Sequence, residues 1–157
     1  MQPQLRNAAA KRVAGLALRT DNATEARAGQ RKIPGLWARF RSEDWFAQLE
    51  DLGAIGPPLG VYSAYESDVN GSYQILAGRE IPESASVISP LKVVSIPAAT
   101  YLVFHSTGPF PGAVVKGWQD VWAYFDRPQK TARAYTCDFE VYPNDKTVEI
   151  WVAARKG

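Results

Sequence analysis

Cysteine, histidine and methionine are each nearly missing from this chain, with one of each in 157 residues. A lone Cys137 excludes an intramolecular disulfide and a thiolate metal cluster, and one histidine beside it falls short of the convergent ligand set a metal centre needs. Neither sign of charge dominates, since 18 basic side chains face 16 acidic ones for a net charge of +2. That balance gives no electrostatic footprint for nucleic acid and no polybasic membrane patch. Arg27, Arg31 and Lys32 form a small basic group that a solvated helix face explains. Apolar runs are far shorter than a membrane span, residues 1–10 lack the apolar core of a secretory signal, and no glycine-rich phosphate loop leads into a helix. The expectation is one cytoplasmic domain with no metal or cofactor and no direct nucleic-acid or membrane partner. A chain this long buries roughly two-thirds of its unfolded surface.

What the chain has in quantity is aromatic side chain: five Trp, seven Tyr and six Phe. Rings at this density fill cores, and they also line sites for flat or cationic ligands. Their placement repeats. Leu36-Trp37-Ala38-Arg39-Phe40 matches Val121-Trp122-Ala123-Tyr124-Phe125, and each is followed by an aromatic-Glu pair, Tyr65-Glu66 and Phe139-Glu140. A Glu-Ile pair comes next in both halves, Glu80-Ile81 and Glu149-Ile150, while residues 14–20 resemble residues 100–106. The chain therefore reads as one strand-helix-strand-strand unit written twice, over about 11–81 and 91–154. Two repeats are too few for a solenoid, so they are expected to pack face to face, with a pocket at the seam.

Alternation predicts strands at 11–20, 59–66, 73–81, 91–96, 100–106, 134–142 and 147–153. Pro34 suits the first turn of a helix carrying Leu36, Trp37 and Phe40; residues 42–51 continue as a second helical stretch. A later helix places Val114, Trp118, Val121, Trp122 and Phe125 on one face, and Pro128 stops it. In 134–142, Tyr135, Cys137, Phe139 and Val141 share an apolar face, expected to pack on the helices. Asp138, Glu140 and Tyr142 point the other way, and Trp151 of the next strand is expected to join them. Carboxylate plus rings is the chemistry that holds a lipophilic cation.

The ordered set Leu36-Trp37-x-x-Phe40, Gly60-Val61-Tyr62-x-x-Tyr65, Ser67-Asp68-x-x-Gly71-x-Tyr73, Gly78-Arg79-Glu80, Tyr101-x-Val103-Phe104, Trp118-x-x-x-Trp122, Asp138-Phe139-Glu140-x-Tyr142 and Val148-Glu149-Ile150 resembles GyrI-like small-molecule-binding domains over nearly the whole chain. Such domains are the effector-binding halves of AraC/XylS-type and MerR-type activators, and they also occur alone, including on mobile gene cassettes. The resemblance implies an α+β fold of two βαββ repeats with pseudo-twofold symmetry, helices packed on curved antiparallel sheets, and no DNA-reading half. It also implies a buried glutamate in an aromatic pocket that takes organic cations, and it maps that glutamate to Glu140. Glu66 is read as its counterpart in the first repeat. Trp122, matched by Trp37, is expected in the core; Trp118, matched only by Ile33, is expected at the ligand. Tyr142, Trp151, Tyr62 and Phe104 are further pocket candidates, and Trp45 could cap the pocket. No catalytic residue is assigned. Two rivals stay open: a hydrolase using Glu140 as general base, and an inhibitor of a protein partner. A Cys137–His105 nucleophile pair is disfavoured because Cys137 falls on the apolar face.

Overall fold

The computed structural model describes residues 3–156, so the first two residues and the last of the expected domain lie outside it. Thirteen elements follow one another among the described residues. The first half holds β1 (Gln4–Ala8), β2 (Lys11–Asp21), α1 (Asn22–Ala26), α2 (Ile33–Ser42), α3 (Trp45–Glu50), β3 (Ile55–Ser63) and β4 (Ser72–Ile81). The second holds β5 (Lys92–Ile96), β6 (Ala99–Thr107), α4 (Gly112–Phe125), β7 (Thr131–Arg133), β8 (Cys137–Asn144) and β9 (Thr147–Lys156). No helix among the described residues is long and apolar enough to cross a membrane.

Strand order in the sheet is β1-β6-β9-β8-β3-β4-β2-β5, all neighbours antiparallel, with β7 on β9. Exchanging β1 with β5, β2 with β6, β3 with β8 and β4 with β9 reverses that order onto itself. The repeat seen in the sequence is thus a pseudo-twofold, its axis between β3 and β8. Each unit also lends its first strand to the other, because β1 pairs with β6 and β5 pairs with β2.

Register shows which residues meet across that axis. Val61 pairs with Leu76 on one side and Phe139 on the other, while Phe139 pairs with Trp151 and Val61. Gly60 faces Glu140 in the same ladder, and β3 carries no acidic residue, so Glu140 has no acidic counterpart across the seam. The expected counterpart, Glu66, is not on β3. Ala64 adopts φ 51, β3 ends at Ser63, and Glu66 sits exposed in the following turn, accepting from the Ser72 N–H.

Both faces of the sheet are covered. On one, α2 and α3 pack on Ala14, Leu16, Tyr62, Ile75 and Ala77, and α4 packs on Leu102, Phe104, Val148, Ile150 and Val152. On the other, Val13, Val61, Leu76, Ile96, Tyr101, Cys137 and Phe139 form a single cluster without a helix. Val13 and Tyr101 come from strands far apart in the sheet order, so this face must curl on itself to join them. The apolar side of β8 fills that curl, and the helices meet the side that carries Glu140. That is the reverse of the expectation from alternation.

The helix α4 is also turned from its expected setting. Ala113, Gly117 and Val121 form its buried stripe, and Trp122 is 39% exposed rather than core. A Cβ on Gly117 would stand 2.7 Å from Ile150 Cδ1, so glycine here lets the helix lie close to β9. That close approach brings Trp118 within reach of the sheet.

Candidate functional site

The helices α2 and α4 do not meet over the middle of the sheet. Between them lies a cavity of about 1360 Å³, with Glu140 at its floor and Trp37, Tyr62, Tyr65, Tyr73, Phe110, Trp118, Trp122, Tyr135 and Tyr142 among its walls. Single drug-sized sites usually occupy about 300–1,000 Å³. A smaller hollow of about 500 Å³ beside Lys11, Glu83 and Ser95 has no aromatic lining, and its Arg12 is tied to the carbonyls of Pro82, Glu83 and Ala85. The aromatic cavity is the candidate site.

Glu140 is 1% exposed and is reached by three donors. The Trp118 indole N–H donates to Oε2 at 2.7 Å, the Tyr62 hydroxyl to the same oxygen at 2.8 Å, and the Tyr142 hydroxyl to Oε1 at 2.6 Å. Burial raises the carboxyl's pKa above its ordinary 4.5, and the three hydrogen bonds pull in the opposite direction. Tyr62 and Tyr142 are pushed well above 10 by burial and by the glutamate itself. None of these donors is a cation. Among the described residues, the carboxylate is solvated by dipoles alone.

Gly60 is the strand neighbour of Glu140. A Cβ there would fall 2.5 Å from Oε1 and 3.3 Å from a Trp37 ring carbon. A side chain at 60 would displace the acid, so this glycine defines the cavity floor as much as Glu140 does.

Two residues earlier on β8, Asp138 is fully buried and held differently. Its Oδ1 accepts from the Ala153 N–H at 2.7 Å, and its Oδ2 accepts from the Tyr65 hydroxyl and from Arg133 Nη2, the latter at 2.7 Å. Here a guanidinium supplies the opposite charge.

The sequence-predicted residues divide cleanly. Glu140, Trp118, Tyr62 and Tyr142 come together at the cavity floor. Trp151 does not, because it pairs with Phe139 and stacks on it at 5.4 Å on the helix-free face. Phe104 is buried beneath α4 against Tyr124, away from the cavity lining. Trp45 packs on the α2–α3 core, its N–H donating to Glu43; Asp44 and Phe46 line the cavity in its place. Trp37, assigned to the core, stands edge-on to Tyr142 at 5.3 Å and lines the cavity. Arg133, Tyr65 and Tyr135 were missed as lining residues. Cys137 is buried, its thiol pushed up to about 12, and β9 lies between its strand and that of His105.

The sequence profile of the integron-associated effector binding protein family, Cass2, matches residues 5–154. The chain belongs to that family. Its relatives include the Bacillus subtilis (strain 168) protein YobU, which carries the name of a transcriptional regulator and is 33% identical, with 93% of each chain covered. An integron cassette protein from the mobile metagenome of Vibrio cholerae superposes with a TM-score of 0.82 at 31% identity, covering 98% of this chain and 96% of that one. SAV2435, solved with tetraphenylphosphonium bound, gives a TM-score of 0.79 at 24% identity, covering 99% and 94%. Membership in an effector-binding family makes the α+β fold of two repeats a shared architecture, and small-molecule binding the shared theme.

Proposed function

We propose that this chain binds amphipathic organic cations in the cavity between α2 and α4, with Glu140 as the counter-charge. One observation carries the reading: a buried carboxylate surrounded by rings, hydrogen-bonded by three neutral donors and paired with no cation among the described residues. Burying an anion is costly, and dipoles offset only part of that cost. A cation entering the cavity supplies the missing charge and meets the faces of Trp37, Trp118 and Tyr142. The ligand of SAV2435 is a lipophilic cation, which supports the same chemistry on this fold.

The donor pattern favours holding a charge over abstracting a proton. Oε2 accepts twice and Oε1 once, so hydrogen bonds already claim most of the lone pairs a general base would use.

The test is calorimetric titration with tetraphenylphosphonium and with uncharged triphenylphosphine oxide, beside the intrinsic Trp fluorescence. The cation should bind in roughly the micromolar range and the neutral compound more weakly. Glu140→Gln keeps the shape, its amide oxygen still accepting and its N–H donating to a tyrosine hydroxyl turned to accept, and should weaken the cation by about 1–3 kcal/mol without affecting the neutral compound. Glu66→Gln, in the exposed turn, is the control. Equal binding of charged and neutral compounds would sink the reading.

A further inference from the structure

Besides Glu140, the cavity wall holds one other buried charged side chain among the described residues, and the cation reading leaves it unused. Arg133, at the end of β7, lines the cavity and is 8% exposed. Its guanidinium carries a fork of donors suited to two-pronged contact with a carboxylate. Asp138 meets only one prong. Nη2 donates to Oδ2, an oxygen shared with Tyr65, and Oδ1 is taken by the backbone of Ala153. Nε is buried without any acceptor among the described residues. Buried donors left in this state are rare, and each calls for an explanation.

The surroundings hold this arginine in place. Its Cζ lies 4.3 Å from the centroid of the Tyr135 ring and 5.9 Å from that of Trp118. Trp118 is the same indole whose N–H reaches Glu140, so one ring system separates the two groups. Asp138 and Glu140 alternate along β8, which spaces their anchors by about 7 Å. Asp138 also cancels the charge of Arg133, so the arginine does not repel a cation at Glu140 while its unmet donor edge remains.

The geometry points to a two-ended ligand: a lipophilic cation that meets Glu140 and, on the order of 7 Å away, an acceptor oxygen (carboxylate or carbonyl) that meets Arg133. This rests on the cation reading above and adds a specificity residue to it. Arg133 separates cations that carry an acceptor arm from those that are apolar throughout.

Triphenylphosphonium ions that differ only in their tail test the assignment: butyl, carboxybutyl, and the methyl ester of the latter. The carboxybutyl ion should bind wild-type protein about fivefold or more tighter than the butyl ion. An ester that matches the acid shows that an acceptor suffices; an ester that falls between shows that charge adds to it. The ratio of carboxybutyl to butyl affinity should collapse to near unity in Arg133→Gln/Asp138→Asn, which replaces the ion pair with neutral groups of the same shape. Should that double variant not fold, Arg133→Lys retains the charge for Asp138, lacks the second edge of the fork, and should also lose the preference. A carboxybutyl ion no tighter than butyl on wild type, or a preference that survives in the folded variants, overturns the assignment. If the butyl ion itself fails to bind, or binds Glu140→Gln as well as wild type, the Glu140 reading falls and takes this one with it.

Discussion

Two carboxylates sit two residues apart on one face of β8, both buried, yet they are held in different ways. Asp138 meets a guanidinium, a tyrosine hydroxyl and a backbone N–H, so its charge is neutralised inside the protein. Glu140 meets two tyrosine hydroxyls and an indole, so its charge is only solvated. On the proposed reading, one strand serves both the fold and the binding of a ligand. A carboxylate with an internal counter-ion is committed to the structure, and one held by neutral dipoles stays available to a charge from outside. Burial alone would not have told them apart.

The largest break in this comparison should come from Asp138→Ala. It strands Arg133 in the interior and removes the acceptor of the Ala153 N–H and Tyr65 hydroxyl, for an expected loss of about 3–5 kcal/mol in urea denaturation. Glu140→Gln in the same assay should match or exceed wild-type stability, since it removes a buried charge that no cation offsets. Next in size is Gly60→Ala. The new Cβ must displace Glu140 or Trp37, which should cost about 1–3 kcal/mol of stability and also weaken cation binding. In a double-mutant cycle with Glu140→Gln, most of the binding penalty should disappear.

A pH titration sharpens the same contrast. Glu140 has a raised pKa in the folded protein, so it binds more protons folded than unfolded between its ordinary value and the raised one. Its contribution to stability is therefore intact below the ordinary glutamate value and declines as pH rises through that window. Cation affinity moves the other way. It should drop by up to about tenfold per pH unit on acidification below the raised pKa, while Glu140→Gln titrates flat. The smallest effect belongs to Trp122→Ala. Because this ring is 39% exposed at the cavity rim, the loss of stability should stay near or below about 1 kcal/mol by thermal melt.

The repeat, the hairpins and the helices were legible because apolar periodicity and the two Trp-bearing helices recur in order. The choice of which face meets the helices was not. Alternation marks the Cys137-Phe139-Val141 side of β8 as apolar, and in a sheet with one covered face that side would meet the helices. Here the sheet curls on its own apolar side, and a pattern of alternating residues carries no sign of that curl. Trp151 was misplaced because the register Phe139↔Trp151 sets its face, with a shift between Val141 and Asn144 that nothing in the sequence announces. Glu66 was paired with Glu140 because both follow an aromatic residue, yet β3 stops at Ser63 as Ala64 turns left-handed. Alanine gives no warning of such a turn. Trp37 was legible as a helix residue, but whether it faced core or cavity depended on how far apart α2 and α4 stand. Arg133 left no signal of its own, since a short strand on the sheet's margin brings it to the site.

The reciprocal loan of β1 and β5 makes the molecule a strand-swapped dimer written in a single chain. In a true homodimer the twofold would force one residue type on both positions nearest the axis. Two glutamates would then repel each other there, and two glycines would leave no anion at all. Covalent linkage frees the two positions to differ, and Gly60 and Glu140, paired across the seam, use that freedom: the first leaves open the space that the second's carboxylate fills. Broken symmetry at one pair of sites is what turns a seam between equal halves into a polarised pocket.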